Sequence, residues 1–129
     1  MRFEDAQVNL YVADIDNVLA FYTAIGFSEN FRAPADGPSE HVEVGLGGLT
    51  LGITRADVVG AVHGQMPLLG NPQAEVVVWC DDVDRAFAYA CEKGAPQIRS
   101  PGNFGGRLRM AWVRDPAGNP VKFVAKLTG

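Results

Sequence analysis

The chain has 129 residues, 47% of them hydrophobic and 20% charged, with a formal net charge of −4 and a pI near 5.0. That length suits one core or two half-size modules, not two ordinary domains, and an acidic balance without any Lys/Arg run argues against a nucleic-acid partner. No apolar stretch reaches the length of a bilayer span, and MRFEDAQ is acidic where a signal peptide is basic, so a cytoplasmic protein with no membrane partner is expected.

In chain order, Val8, Leu10 and Val12 alternate with Gln7, Asn9 and Tyr11, the period-two pattern of a strand with unlike faces. Asp14 is placed to cap a helix whose apolar stripe is Ile15, Val18, Leu19 and Tyr22, and Gly26 ends it. A strand is predicted over 27–32, followed by the loop APADGPS. Alternation returns with Val42, Val44 and Leu46 against His41, Glu43 and Gly45. Gly47-Gly48 turns the chain, and Leu49, Leu51 and Ile53 then oppose Thr50, Gly52 and Thr54. Residues 1–55 therefore read as a βαβββ module. The stretch 56–73, with Gly60, Gly64, Pro67, Gly70 and Pro72, is predicted as a linker with one helical turn near 58–62.

Residues 74–129 repeat the order. Sliding the chain by 68 places lays Val76 on Val8, Asp82 on Asp14, Ala88 on Ala20 and Gly94 on Gly26, and such an internal repeat governs the fold. Val76, Val78 and Cys80 alternate with Glu75, Val77 and Trp79, and Asp82 caps a helix with the stripe Val83, Ala86, Phe87, Ala90 and Cys91. A short strand over 97–99, the loop PGNFGG, a strand over 107–114, the turn DPAGN and a strand over 121–126 complete the module. Pairing across that turn sets Trp112 opposite Lys122 and Arg114 near Pro120, with Val121, Phe123 and Ala125 toward the core. Arg114 is expected to partner an Asp. Cys80 and Cys91 lie on core faces without C-x-x-C spacing and are expected as buried, reduced thiols.

The stretches VADIDNVLAFYTAIGF at 12–27, VVVWCDDVDRAFAYACEKGA at 76–95 and VRDPAGNPVKF at 113–123 resemble the vicinal oxygen chelate superfamily, which includes glyoxalase I, extradiol dioxygenases and bleomycin-resistance-type binding proteins. The resemblance implies an α+β fold, with two tandem βαβββ modules forming a cup-shaped, incompletely closed mixed sheet and helices on its convex side. It also implies a homodimer. Enzymes of the superfamily hold a divalent metal through side chains early in the first strand and late in the last strand of each module. Those places fall on Gln7, Gly52, Glu75 and Lys122. Glycine offers no side chain and an ammonium repels a cation, so the likeness is closest to the metal-free binding proteins, with no metal and no cofactor. Lys122 is expected in the metal's place, held by Glu75 and Gln7, either anchoring a polar group of a ligand or serving as a structural pair.

Alternation leaves Gln7, Asn9, Tyr11, His41 and Glu43, with Thr50 and Thr54, on the concave face of the first module. In the second it leaves Glu75, Val77, Trp79, Met110, Trp112, Lys122 and Val124. Three aromatics and a Met among polar groups suit a planar, partly apolar small molecule, unless a Trp packs in a dimer interface instead. Phe104 and Arg107 are expected on a loop at the rim. His41 reads as a ligand contact, a base or a merely solvated edge residue; His63 is assigned no role. No Ser-His-Asp, Cys-His or G-x-S-x-G arrangement is present, and no catalytic residue is assigned. The expected function is metal-independent sequestration of an aromatic or amphipathic compound such as an antibiotic, a cationic one being favoured by Glu43 and Glu75. The alternative is a superfamily enzyme, a lyase, isomerase or dioxygenase, with a non-standard or absent metal site.

Overall fold

The computed structural model describes residues 1–127 and divides into two compact units, Met1–Leu69 and Gly70–Gly129; the last two positions of the second module lie outside the described residues. In the first unit the elements are β1 (Val8–Val12), α1 (Ile15–Ala24), β2 (Ser28–Ala33), β3 (His41–Leu46), β4 (Leu49–Arg55) and α2 (Ala56–His63). In the second they are β5 (Val76–Trp79), α3 (Val83–Glu92), β6 (Gln97–Phe104), β7 (Leu108–Arg114) and β8 (Pro120–Lys126). The fold is α+β, with two open four-stranded mixed sheets and three helices among the described residues. The sheets have equivalent orders, β1-β4-β3-β2 and β5-β8-β7-β6, in which the first pair is parallel and the others antiparallel.

The repeated local chemistry accounts for the repeated topology. Asp14 accepts from the backbone N–H of Asp16 and Asp82 from that of Arg85, both at 3.0 Å, so each helix begins on a carboxylate that satisfies a free donor. Beyond each helix the chain turns at a glycine with positive φ, Gly26 at 110° and Gly94 at 98°. Ile15, Val18 and Tyr22 of α1 are buried over a sheet face carrying Val42, Val44, Leu51 and Ile53. Val83, Phe87 and Ala90 of α3 do the same over Ala111, Val113, Val121 and Phe123. Each such fully buried Val, Leu, Ile or Phe stabilises its unit by roughly 1.5–3 kcal/mol. The predicted register holds, with Trp112 opposite Lys122 and Arg114 opposite Pro120.

The structure departs from the sequence expectation in several places. The linker begins with α2, a two-turn helix that starts where β4 ends, buries Ala56 and Val59, and stops at Gly64 with φ 87°. Its glycines hid that short stripe; a Cβ at Gly60 would stand 3.0 Å from the end of the exposed Met66 side chain, which is free to give way. Strand β6 runs through Pro101 and Gly102 to Phe104, where a loop was expected. Two register shifts against β7 absorb these residues, and β6 is an edge strand, which tolerates the missing N–H of proline. Phe104 therefore sits in a strand, and the turn is confined to Gly105, Gly106 and Arg107, with both glycines at positive φ. Val8, Leu46 and Leu49, assigned to the core, are exposed; Val8 starts β1, and Leu46 and Leu49 flank the β3–β4 turn. Cys80 and Cys91 are free but half-buried, and burial raises the Cys80 thiol pKa. Arg114 donates to the carbonyl of Gly118 at 3.1 Å, and the DPAGN turn is closed by Asp115, whose carboxylate accepts from the backbone N–H groups of Ala117 and Asn119.

Candidate functional site

In the second unit, Trp112 on β7 and Val77 on β5 flank Lys122 on β8, so all three share the sheet face away from α3. Glu75, two residues before Val77, reaches the same face by alternation. Lys122 Nζ lies 3.2 Å from Glu75 Oε1, and Trp112 Nε1–H donates to Glu75 Oε2 at 3.1 Å. Both carboxylate oxygens are engaged. Phe104 meets Trp112 edge-on with centroids 5.6 Å apart, the Arg99 guanidinium lies 4.8 Å from the Phe104 centroid, and Lys122 Nζ lies 5.9 Å from that of Trp112. Aromatic rings and cations thus alternate across the face, with the two ring planes perpendicular.

The first unit builds a different face on the same register. Gln7 Nε2 donates to Asn9 Oδ1 at 2.9 Å and to Glu43 Oε2 at 3.2 Å. His41 Nε2 lies 2.8 Å from Glu43 Oε2 and its Nδ1 2.7 Å from Thr54 Oγ1. One neutral tautomer satisfies both contacts, with Nε2–H donating to the carboxylate and Nδ1 accepting from the hydroxyl. Hydrogen bonds from His41, and then from Gln7, hold the Glu43 carboxyl below the usual carboxylate range. Gly52 stands opposite both Asn9 and Glu43. A Cβ there would collide with Asn9 Oδ1 and lie 2.7 Å from His41 Cε1, so the missing side chain is the space the network fills.

Of the residues expected on these faces, Glu75, Trp112, Lys122 and Phe104 come together in the second unit, and Gln7, Asn9, His41 and Glu43 in the first. Gln7, expected beside Lys122, donates its amide to Asn9 and Glu43 within its own unit. His41 is not merely solvated, since both ring nitrogens are engaged. Tyr11, Val77 and Trp79 are exposed, Trp79 at 59%, while Thr50 and Met110 are half-buried. Val124, expected on the open face, is buried between its cross-strand neighbours Trp79 on β5 and Met110 on β7. Arg107 is exposed at the β6–β7 turn. Sequence reasoning missed Arg99, whose facing is set by the register shifts around Pro101, and Phe31, whose ring is 6.2 Å from that of His41. An isolated glycine inside the alternating strand LTLGITR was the available signal for the close approach at Gly52.

Two of the four places to which the resemblance assigns metal ligands, Gly52 and Lys122, do not suit a divalent ion in this chain. Gly52 offers no donor, Lys122 offers a charge of the wrong sign, and the Glu75 lone pairs are turned toward Lys122 and Trp112. Among the described residues no three His, Cys, Asp or Glu side chains are placed to hold a metal ion.

Residues 6–123 match the family model described as the Glyoxalase/Bleomycin resistance protein/Dioxygenase superfamily. No curated protein matches the sequence. Among solved structures, TioX from Micromonospora sp. ML1 is 26% identical, with 96% of this chain and 100% of that one covered at a TM-score of 0.76. A glyoxalase/bleomycin resistance protein/dioxygenase family enzyme from Burkholderia phytofirmans PsJN is 21% identical, covering 96% and 100% at 0.83. Lactoylglutathione lyase from Agrobacterium tumefaciens is 20% identical, covering 97% and 96% at 0.70. The last two likenesses establish the shared fold.

Proposed function

The chain belongs to the Glyoxalase/Bleomycin resistance protein/Dioxygenase superfamily, and from that premise we propose that it binds an aromatic or amphipathic small molecule without a metal ion. One observation carries this reading. At a place where the superfamily's enzymes present a metal ligand, this chain presents the Lys122 ammonium, 3.2 Å from the Glu75 carboxylate. An ion pair of this kind neutralises the polar floor of the face and leaves further Lys122 N–H donors for a ligand, beside the stacking surface of Trp112 and Phe104. Sequestration of an antibiotic or related metabolite, in the manner of the bleomycin-resistance-type members, is the activity we assign.

The enzyme reading needs a free acid or base among Glu75, His41 and Tyr11. Both Glu75 oxygens and both His41 ring nitrogens are already in hydrogen bonds or ion pairs, which leaves the exposed Tyr11 as the group that reading would rest on. We take the working form to be a cytoplasmic homodimer with no nucleic-acid partner, in keeping with the acidic pI of 5.0 and the exposed Trp79. Among the described residues no helix is long and apolar enough to cross a membrane.

The test is thermal denaturation of untagged protein titrated separately with Zn²⁺, Ni²⁺, Mn²⁺ and Fe²⁺ and with a panel of planar aromatic compounds. We expect the melting temperature to rise with free concentration of at least one organic compound and to ignore the metals. Near-stoichiometric metal retained through dialysis, or conversion of the bound compound seen by mass spectrometry, would overturn the reading.

A further inference from the structure

We propose that the ligand taken by the second unit is a planar aromatic anion, a carboxylate or an acidic phenol, stacked on the β6–β8 face; this rests on the binding reading above. The chain as a whole is acidic, with a net charge of −4, yet β5, β6, β7 and β8 contain no acidic residue. Alternation and register place Arg99, Trp112 and Lys122 on the face away from α3, with Arg114 at one end and Lys126 at the other. Among the described residues, Glu75 is the carboxylate that engages this face, and its two oxygens are committed to Lys122 and Trp112.

What remains unbalanced is positive. Arg99 makes no ion pair among the described residues and rests over the Phe104 ring at 4.8 Å, while Lys122 lies 5.9 Å from the Trp112 ring on the other side of the aromatic pair. The two ring planes are perpendicular, so a planar ligand would stack on one of them, with the other ring, the guanidinium and the ammonium beside it. Guanidinium suits this role because it both stacks and chelates carboxylate in a fork. A cationic ligand would meet like charge from Arg99, Lys122 and Lys126, and the one carboxylate able to attract it is neutralised by Lys122. The acidic balance of the whole sequence, which favours a cation, is thus reversed at this face.

The experiment uses three probes on one aromatic frame: naphthalene-2-carboxylate, naphthalene-2-carboxamide and naphthalen-2-ylmethylammonium. Each is titrated into the full chain by calorimetry at low and at moderate salt. The carboxylate is expected to bind at least tenfold more tightly than the ammonium, with a preference that shrinks as salt rises. R99Q, a change on an exposed edge strand, should cut that ratio several-fold, and K122M should cut it further, with circular dichroism melts showing both variants folded. Should K122M fail to fold, R99Q decides. Equal or tighter binding of the carboxamide or the ammonium would overturn the anion assignment while leaving small-molecule binding intact. Failure of all three probes overturns the assignment, and the binding reading falls with it if the wider aromatic panel also gives no thermal shift.

Discussion

Gln7 and Glu75 stand at equivalent places just ahead of β1 and β5, and each meets a side chain two strands away, Glu43 in the first unit and Trp112 in the second. The direction of the hydrogen bond is reversed: Gln7 donates to a carboxylate, whereas Glu75 accepts from an indole. Between them in the sheet stand Gly52 and Lys122, paired with Glu43 and Trp112 respectively. Glycine opens room that Asn9 and His41 fill, giving a closed polar network. Lysine fills its own room and brings a charge, giving an ion pair bordered by aromatic rings. Equal backbones therefore decide which positions meet, and the residue on the strand between decides whether the meeting saturates itself or leaves donors for a guest.

The largest effect expected from breaking this comparison is at Gly52. Gly→Ala in an unhindered strand usually stabilises, but here G52A must displace Asn9 or His41, and we expect a loss of about 1–3 kcal/mol in urea denaturation. A neutral or stabilising result would show that the network is not tightly held. In the second unit W112F keeps the ring against Phe104 and removes the donor to Glu75. We expect it to cost about 1 kcal/mol and to weaken binding of naphthalene-2-carboxylate more than it lowers stability; unchanged affinity would remove Trp112 from the ligand face.

The smallest effect sharpens the contrast through pH. The Glu43 carboxyl is depressed in the folded chain by His41 and Gln7, so its contribution is fully present above the unfolded carboxylate pKa and is lost as pH falls through the lower folded value. E43Q should remove about 0.2–1 kcal/mol at neutral pH and make acid unfolding shallower across that window. An acid titration of stability identical in wild type and E43Q would show that the His41–Glu43 contact is not maintained in solution.

The amino-acid sequence by itself determined the duplicated βαβββ order, the two Asp caps, the glycines that end α1 and α3, and the pairing of Trp112 with Lys122, because each rests on local chemistry or on strict alternation from a fixed turn. It also determined that Lys122 and Gly52 are poor metal ligands, since donor chemistry belongs to the residue and not to its surroundings. Tertiary structure decided the rest. The facing of Arg99 depends on two register shifts that Pro101 and Gly102 hide from any count along the chain. The burial of Val124 depends on neighbours contributed by distant strands. The role of Gly52 as shared space, and the capture of Gln7 by Glu43, depend on which side chains converge from three strands at once. Alternation says which side of a sheet a residue faces; only the assembled sheet says which atoms it finds there.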